Sequence, residues 1–303
     1  MKEYISGILH ESGAIAVGFA RAGSIDIVAH EEFEKWIGEG CNGEMDYLSR
    51  HISLRMDTDN VLKGAHTVIS LAFSYVPESW LPSDKPMKAS YAYGEDYHFV
   101  LRERLKPVVK DFQTKFGGKW RICIDSAPVA ERFWALKCGI GKRGINGSVI
   151  VEGGGSLCFL VEILTTLHIK EDSQSNEFCE RCGACINECP SGALRGDGTI
   201  DARKCINYLT IEKRGEFNEE EREILSKGVG FLYGCDRCLR VCPHNRKETP
   251  TVMPEFQLFE KIKNLTPEIL FEMSEDDFKK EFSRSALLYA GYERLRRNAR
   301  LFL

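Results

Sequence analysis

No stretch of this 303-residue chain approaches the run of about eighteen apolar residues that a helix needs to cross a bilayer, so no helical membrane span is expected. The N-terminus lacks the charged-then-apolar leader of a secreted chain, and a reducing, cytoplasmic setting is expected. There is no surplus of positive charge either. With 41 basic residues against 45 acidic ones the net charge is −4, so no global field draws the chain to nucleic acid and any RNA contact must be local. No segment is of low complexity. The glycine-rich stretch Gly139-Ile-Gly-Lys-Arg-Gly-Ile-Asn-Gly147 is neither a Walker loop nor a dinucleotide fingerprint, although it is open enough to cradle an anionic cofactor group. What remains is a composition of ordinary enzyme type, 43% hydrophobic and 28% charged, enough for one sizeable core and a smaller module.

Cysteine is the residue in excess. Eight of the twelve fall into two linked runs, Cys179-Glu-Arg-Cys182-Gly-Ala-Cys185-Ile-Asn-Glu-Cys189-Pro190, then Cys205 with Cys235-Asp-Arg-Cys238-Leu-Arg-Val-Cys242-Pro243. The first run is the bacterial ferredoxin pattern, in which three thiolates hold one 4Fe-4S cluster and the fourth goes to a second cluster. That crossing rule assigns Cys179, Cys182, Cys185 and Cys242 to cluster 1, and Cys189, Cys205, Cys235 and Cys238 to cluster 2. Paired zinc sites also use C-x-x-C, but they give no reason for the third cysteine of each run or for the closing Cys-Pro. A disulfide framework is not needed in a chain of this length. Between Cys205 and Cys235 an insertion, Ile206 to Gly234, is long enough for a helix and a loop that touch something besides the clusters.

Ahead of the cysteines, strands alternate with helices, which argues for an α/β sheet. Met1 to Gly23 reads as a helix followed by the strand at residues 14–20, and His30 to Arg50 reads helical. Thr67 to Tyr75 is a buried strand stopped by Pro77, Tyr97 to Phe116 an amphipathic helix, and Trp120 to Asp125 a further strand. A helix is expected from Pro128 to Cys138, and residues 148–151 and 156–165 read as a hairpin closed by three glycines. Helix returns over Phe256 to Leu303, with start signals at Asn264-Leu-Thr-Pro-Glu and Met273-Ser-Glu-Asp-Asp. Asp125 falls where a strand ends and Pro128 is expected to open a helix, a place that suits a proton donor, although an aspartate there is commonly just a cap.

In series, several stretches resemble the epoxyqueuosine reductases, which resemble in turn the corrinoid-dependent reductive dehalogenases. The markers are residues 16–20, Trp36 to Leu48, Tyr91-Ala-Tyr-Gly-Glu-Asp-Tyr-His98, Asp125-Ser-Ala-Pro-Val-Ala-Glu-Arg132, the glycine turn, both cysteine runs, Ser283 to Ala286 and Arg297-Asn-Ala299. The resemblance implies three parts: an α/β (α+β) cobalamin and substrate domain over 1–170 with a sheet like that of nitroreductases and reductive dehalogenases, a ferredoxin-like module with two 4Fe-4S clusters over 171–250, and a helical tail over 251–303 without extended HEAT-like repeats. It implies reduction of epoxyqueuosine to queuosine at the wobble position of tRNA with a GUN anticodon, by cobalamin reduced through the clusters. Asp125 takes the place of the family's proton donor, with a pKa raised by burial, and His98 and Arg132 stand near the substrate. Val149, Asn207, Cys235 and Asp236 fall at cofactor-lining positions, as does Asp125 itself. A flavodoxin or ferredoxin would supply electrons to a monomer with no membrane partner.

Departures from the family pattern are Gly144-Ile145-Asn146, where the family has a lysine, Asp57-Thr58 for Asp-Pro, and Ser126-Ala127-Pro128 for Thr-Gly-Pro. Many members continue into tRNA-gripping repeats, whereas this sequence stops at Leu303; basic residues gather at Lys279, Lys280, Arg284, Arg294, Arg296, Arg297 and Arg300, where a solvated helix face is the commoner meaning and tRNA contact through the arginines the alternative. Two alternatives stay open. One is a corrinoid iron–sulfur reductase acting on a small molecule or on another corrinoid protein; the other is an electron carrier without catalysis.

Overall fold

The computed structural model describes residues 1–175, 177–227, 230–246 and 248–303; residues 228 and 229 of the insertion lie outside this set. Its centre is a four-stranded sheet of β1 (Ala16–Arg21), β2 (Thr67–Ser74), β7 (Cys158–Thr165) and β4 (Trp120–Cys123), in that spatial order. Every pairing in it is antiparallel. Alternation of strands with helices therefore does not produce a parallel α/β sheet here; the N-terminal part is α+β, a layered antiparallel sheet.

The sheet is covered on both faces, which is why β2 reads as an unbroken apolar run. Phe19, Ile69, Leu71, Phe73, Val161 and Ile163 face α1 (Lys2–Glu11) and α5 (Tyr97–Phe116), while Ala20, Val68, Ala72 and Leu164 face α6 (Glu131–Lys137) through Trp134, Ala135 and Cys138. Gly18 lets α6 come this close, because a Cβ there would lie 2.1 Å from the Cys138 carbonyl oxygen. The stretch read as one helix from His30 to Arg50 is two, α2 (Ile27–Gly38) and α3 (Asp46–Arg50), followed by α4 (Ile52–Met56). Gly40 and Gly43 break it at φ +69° and +56°.

Two other expectations change. Residues 148–165 do not form a hairpin: β6 (Val149–Ile150) pairs with β5 (Lys142–Arg143), and β7 joins the central sheet. The helix expected at Pro128 opens three residues later, at Glu131.

The cluster part carries the short helices α7 (Ala184–Glu188) and α10 (Arg237–Arg240) around the cysteines. Its insertion forms α8 (Ile206–Ile211), α9 (Glu219–Leu225) and β8 (Phe231–Tyr233), and β8 pairs in parallel with β3 (Met87–Lys88), tying the insertion to the N-terminal part. The end of the chain is helical as expected: α11 (Glu260–Asn264), α12 (Pro267–Glu272), α13 (Glu275–Glu281), α14 (Leu287–Ala290) and α15 (Tyr292–Ala299). Thr266 and Ser274 cap α12 and α13 by accepting from the backbone N–H three residues on. On α15 the buried Arg297 donates to the carbonyls of Leu209, Lys213 and Gly215, and Asn298 donates to those of Thr210 and Leu232. The tail is thereby bolted to both ends of the insertion.

Candidate active site

The strand β4 ends at Cys123, and the chain then makes a turn in which Asp125 takes φ +41°. For a residue with a Cβ this conformation costs on the order of 1 kcal/mol, so neighbouring groups must hold it. The Asp125 carboxylate oxygen Oδ2 accepts from the Tyr97 hydroxyl at 2.8 Å and faces His98 Nε2 at 3.1 Å. On its other side the His98 ring meets Asp96 Oδ1 at 2.8 Å. Asp96 is also the N-cap of α5, so the first turn of one long helix delivers Tyr97 and His98 together. The Asp125 side chain is 58% exposed, yet enough of the protein surrounds it to desolvate its carboxyl, so it lies in an open cleft.

Charge in this cleft is not distributed as the sequence suggested. Burial would raise the Asp125 pKa, but the hydrogen bonds from His98 and Tyr97 and the His98 and Arg55 charges outweigh it and hold the carboxyl below its usual range. For His98, burial is outweighed in turn by the Asp125 and Asp96 carboxylates, which raise it to about 9. Glu131, the first residue of α6, is pushed up to about 8 by burial and then by the Asp125 charge. The labile protons near neutrality thus sit on His98 and Glu131, with Asp125 as their ionised neighbour.

Arg132 is exposed and close enough to sense the Glu131 and Asp125 charges. Arg55, which sequence reasoning missed, shares that environment, and its buried Nε has no partner among the described residues. At the rim, Tyr47 and Tyr289 both donate to Glu212 Oε1, at 3.4 and 3.0 Å. From the acid a row of aromatic rings runs toward the cysteines: Tyr97, Tyr91 and Tyr233, with centroids 6.5 and 6.1 Å apart.

Beyond Tyr233 come Gly234, Cys235 and Asp236. A Cβ on Gly234 would lie 2.7 Å from the Ala89 Cβ and 2.9 Å from Asn207 Oδ1, so Asn207 stands beside the residue that precedes Cys235 and Asp236. Asp236 Oδ2 accepts from the Ser90 backbone N–H at 3.0 Å, while Asp236 Oδ1 and the Ser90 hydroxyl are buried with no partner among the described residues. Val149 is not in this group; its side chain is buried with Trp134 and Ala135 on the α6 side of the sheet. These orphaned polar atoms fit a flat macrocycle bearing amide arms, which would satisfy Asp236 and Ser90.

The cysteines group as the crossing rule requires. Cys179, Cys182, Cys185 and Cys242 line one pocket. Cys205, Cys235 and Cys238 each sense the Cys189 thiol electrostatically, which sets the second nest beside the first. Burial lifts the Cys235 thiol to about 12, so its thiolate requires a metal partner. Among the described residues no three His, Cys, Asp or Glu side chains converge on a single ion. The glycine turn lies at the first cysteine pocket: Gly144, Ile145 and Asn146 line it, and the Ile145 N–H donates to Cys179 Sγ at 3.4 Å.

Of the basic C-terminal residues, Arg297 is buried and Arg294 donates to the Ile211 carbonyl, while Arg296 lies over Phe271 and Tyr292. Lys279, Lys280, Arg284 and Arg300 are exposed, Arg284 pairing with Glu95 and Glu103, Arg300 with Glu216 and Lys279 with Glu275.

An acidic cleft joined to paired thiolate nests defines an iron–sulfur oxidoreductase. Residues 178–245 match the model of a 4Fe-4S double cluster binding domain, and residues 55–126 match that described as epoxyqueuosine reductase QueG, DUF1730. An epoxyqueuosine reductase from Cyclobacterium marinum is 36% identical over 293 residues, covering 94% of this chain and 93% of the relative. Among solved structures, a crystal structure of epoxyqueuosine reductase with an epoxyqueuosine-modified tRNA-Tyr stem loop is 27% identical and superposes with a TM-score of 0.87, covering 99% of this chain and 80% of that one. The Bacillus subtilis epoxyqueuosine reductase, solved with its catalytic aspartate loop swung out of the active site, is 26% identical over the same shares, again with a TM-score of 0.87. The chain belongs to the epoxyqueuosine reductase family, and its cysteine module holds two 4Fe-4S clusters.

Proposed function

We propose that this protein reduces epoxyqueuosine to queuosine at the wobble position of tRNA, using cobalamin reduced through the two clusters, with Asp125 delivering a proton to the epoxide oxygen. The observation that carries the reading is the Asp96–His98–Asp125 arrangement, from which the rings of Tyr97, Tyr91 and Tyr233 lead to the cysteine module. Asn207, Cys235 and Asp236, with Ser90, would hold the cofactor on the redox side, and the residue 149 backbone would meet it from the sheet side. Bound there, cobalamin would supply a strongly reducing, nucleophilic metal centre.

Turning an epoxide into an alkene and water consumes two electrons and two protons. The electrons enter through the clusters. His98 Nε2 holds one proton against Asp125 Oδ2; passed to that oxygen, it makes Asp125 the carboxylic acid that gives the proton to the epoxide oxygen as the C–O bond breaks, leaving His98 neutral. Arg132 and Arg55 add positive charge where the oxygen becomes negative. The open cleft allows solvent to restore the second proton. This is general acid chemistry with the proton shared by a pair of side chains, in place of an aspartic acid neutralised by burial.

The same reading assigns residues 1–170 to cofactor and substrate, 171–250 to the clusters and 251–303 to support. It places the enzyme in the cytoplasm as a monomer served by a flavodoxin or ferredoxin; no described helix is long and apolar enough to cross a membrane. The small-molecule alternative rested on the missing lysine and the short tail. The lysine position is at a cluster, and a relative matched over 93% of its length carries the epoxyqueuosine reductase name.

The test is anaerobic protein loaded with cobalamin and assayed on tRNA carrying epoxyqueuosine. Asp125→Asn should retain both clusters and cobalamin and lose about 100-fold or more in rate. Unchanged turnover would remove Asp125 from the mechanism.

A further inference from the structure

The Asp125 turn needs a fastening, and its own backbone supplies little. Ala127 N–H reaches the Ile124 carbonyl only at 3.4 Å, the Ser126 hydroxyl bonds the same carbonyl at 3.2 Å, and Pro128 has no N–H to give. The Asp125 N–H has one acceptor, Glu131 Oε1, at 2.6 Å. We propose that Glu131 is a positioning residue that locks the Asp125 turn, its carboxyl accepting the Asp125 N–H and so fixing where the proton-delivering carboxylate stands. This rests on the reading of Asp125 given above.

Glu131 is suited to the task by its own anchorage. Its backbone N–H bonds the Val129 carbonyl at 3.0 Å, and the next turn of α6 is pinned by the buried Trp134 and Ala135 against the sheet. A carboxyl protonated near neutrality accepts the N–H without setting a second negative charge beside Asp125. Behind it on β7 stands Glu162, fully buried, its Oε1 accepting from the Ser70 hydroxyl at 3.0 Å. Burial, followed by the Glu131 charge, raises the Glu162 pKa, so each carboxyl discourages the other from ionising. Three carboxyls thus line up from the sheet to the cleft, and the front one alone is paired with a cation. Glutamine reproduces the neutral acceptor; leucine keeps the bulk and removes it.

The test uses the cluster- and cobalamin-loaded full chain as Glu131→Gln and Glu131→Leu, each also in the Asp125→Asn background. Readouts are the single-turnover rate, tRNA affinity, and the His98 ring titration followed by NMR with labelled histidine. Glu131→Gln should stay within about threefold of the parent rate. Glu131→Leu should slow the reaction by about tenfold to a hundredfold at unchanged affinity, because a displacement of about 1 Å can cost that much. It should also lower the His98 titration by about one unit, since His98 loses the Asp125 carboxylate as neighbour. In the Asp125→Asn background it should change neither quantity. A leucine variant with parental rate and His98 titration overturns the proposal, as does a glutamine variant impaired as severely as leucine. If Asp125→Asn itself turns over normally, the Asp125 reading fails, and the clamp is then decided by the His98 titration alone.

Discussion

His98 lies between two carboxylates, and its protonation has consequences for stability as well as turnover. Its native pKa of about 9 is above the ordinary 6.5, and Glu131 at about 8 is above the ordinary 4.5, so the native state binds protons that the unfolded chain releases. Their contribution is fully present at low pH and is lost as pH rises through those native values. The buried Lys88, lowered to about 8 chiefly by burial, acts in the opposite sense above that pH. A comparison of variants separates them: between about pH 6.5 and 9 the melting temperature of the parent should fall more steeply than that of His98→Asn. Parallel curves would show that His98 is not held as an imidazolium. Asp125 was legible in the sequence as a strand-end aspartate within a recognisable segment. Its charge state was not, because that depends on Tyr97 and His98 arriving from a distant helix. Glu131 escaped notice for a similar reason: a contact six residues away across a left-handed turn has no periodic signature.

At the scale of elements, the spacing of the cysteines carried nearly the whole of the cluster module. Cys242 completes the nest of Cys179, Cys182 and Cys185 because α7 and α10 pack against each other, with Arg237 bonding Glu188 at 2.8 Å. Cys242→Ala should therefore perturb the cluster of the first run, and Cys189→Ala that of the second, as read by electron paramagnetic resonance after stepwise reduction. Signal loss in the opposite order would break the crossed assignment. Strands and helices were mostly found where hydrophobic periodicity put them. Pairing was not, since alternation along the chain is compatible with parallel and antiparallel sheets, and only register shows that β1, β2, β7 and β4 all run antiparallel to their neighbours. The C-terminal basic cluster shows the same limit. Arg297 looked like surface charge, yet it spans three backbone carbonyls of the insertion from a buried position.

For the molecule as a whole, net charge is close to balance, so under the proposed function recognition of a tRNA loop must rest on local groups, those around Asp125 among them. Tyr47 and Tyr289 offer exposed rings for stacking on unpaired bases, and Arg55 and Arg132 add guanidinium charge near Asp125. With few phosphate contacts, affinity for tRNA should drop by about tenfold between about 50 and 200 mM salt, a gentler slope than a broad basic surface gives. Filter binding across that range checks this, and an affinity indifferent to salt would argue for a substrate without a phosphate backbone.

Of the eight cluster cysteines, Cys182 alone is exposed. Damage by air should therefore begin at that corner: oxygen reaches the cluster of Cys179, Cys182, Cys185 and Cys242 first, and the protein would pass through a half-bleached form that keeps the cluster of Cys189, Cys205, Cys235 and Cys238.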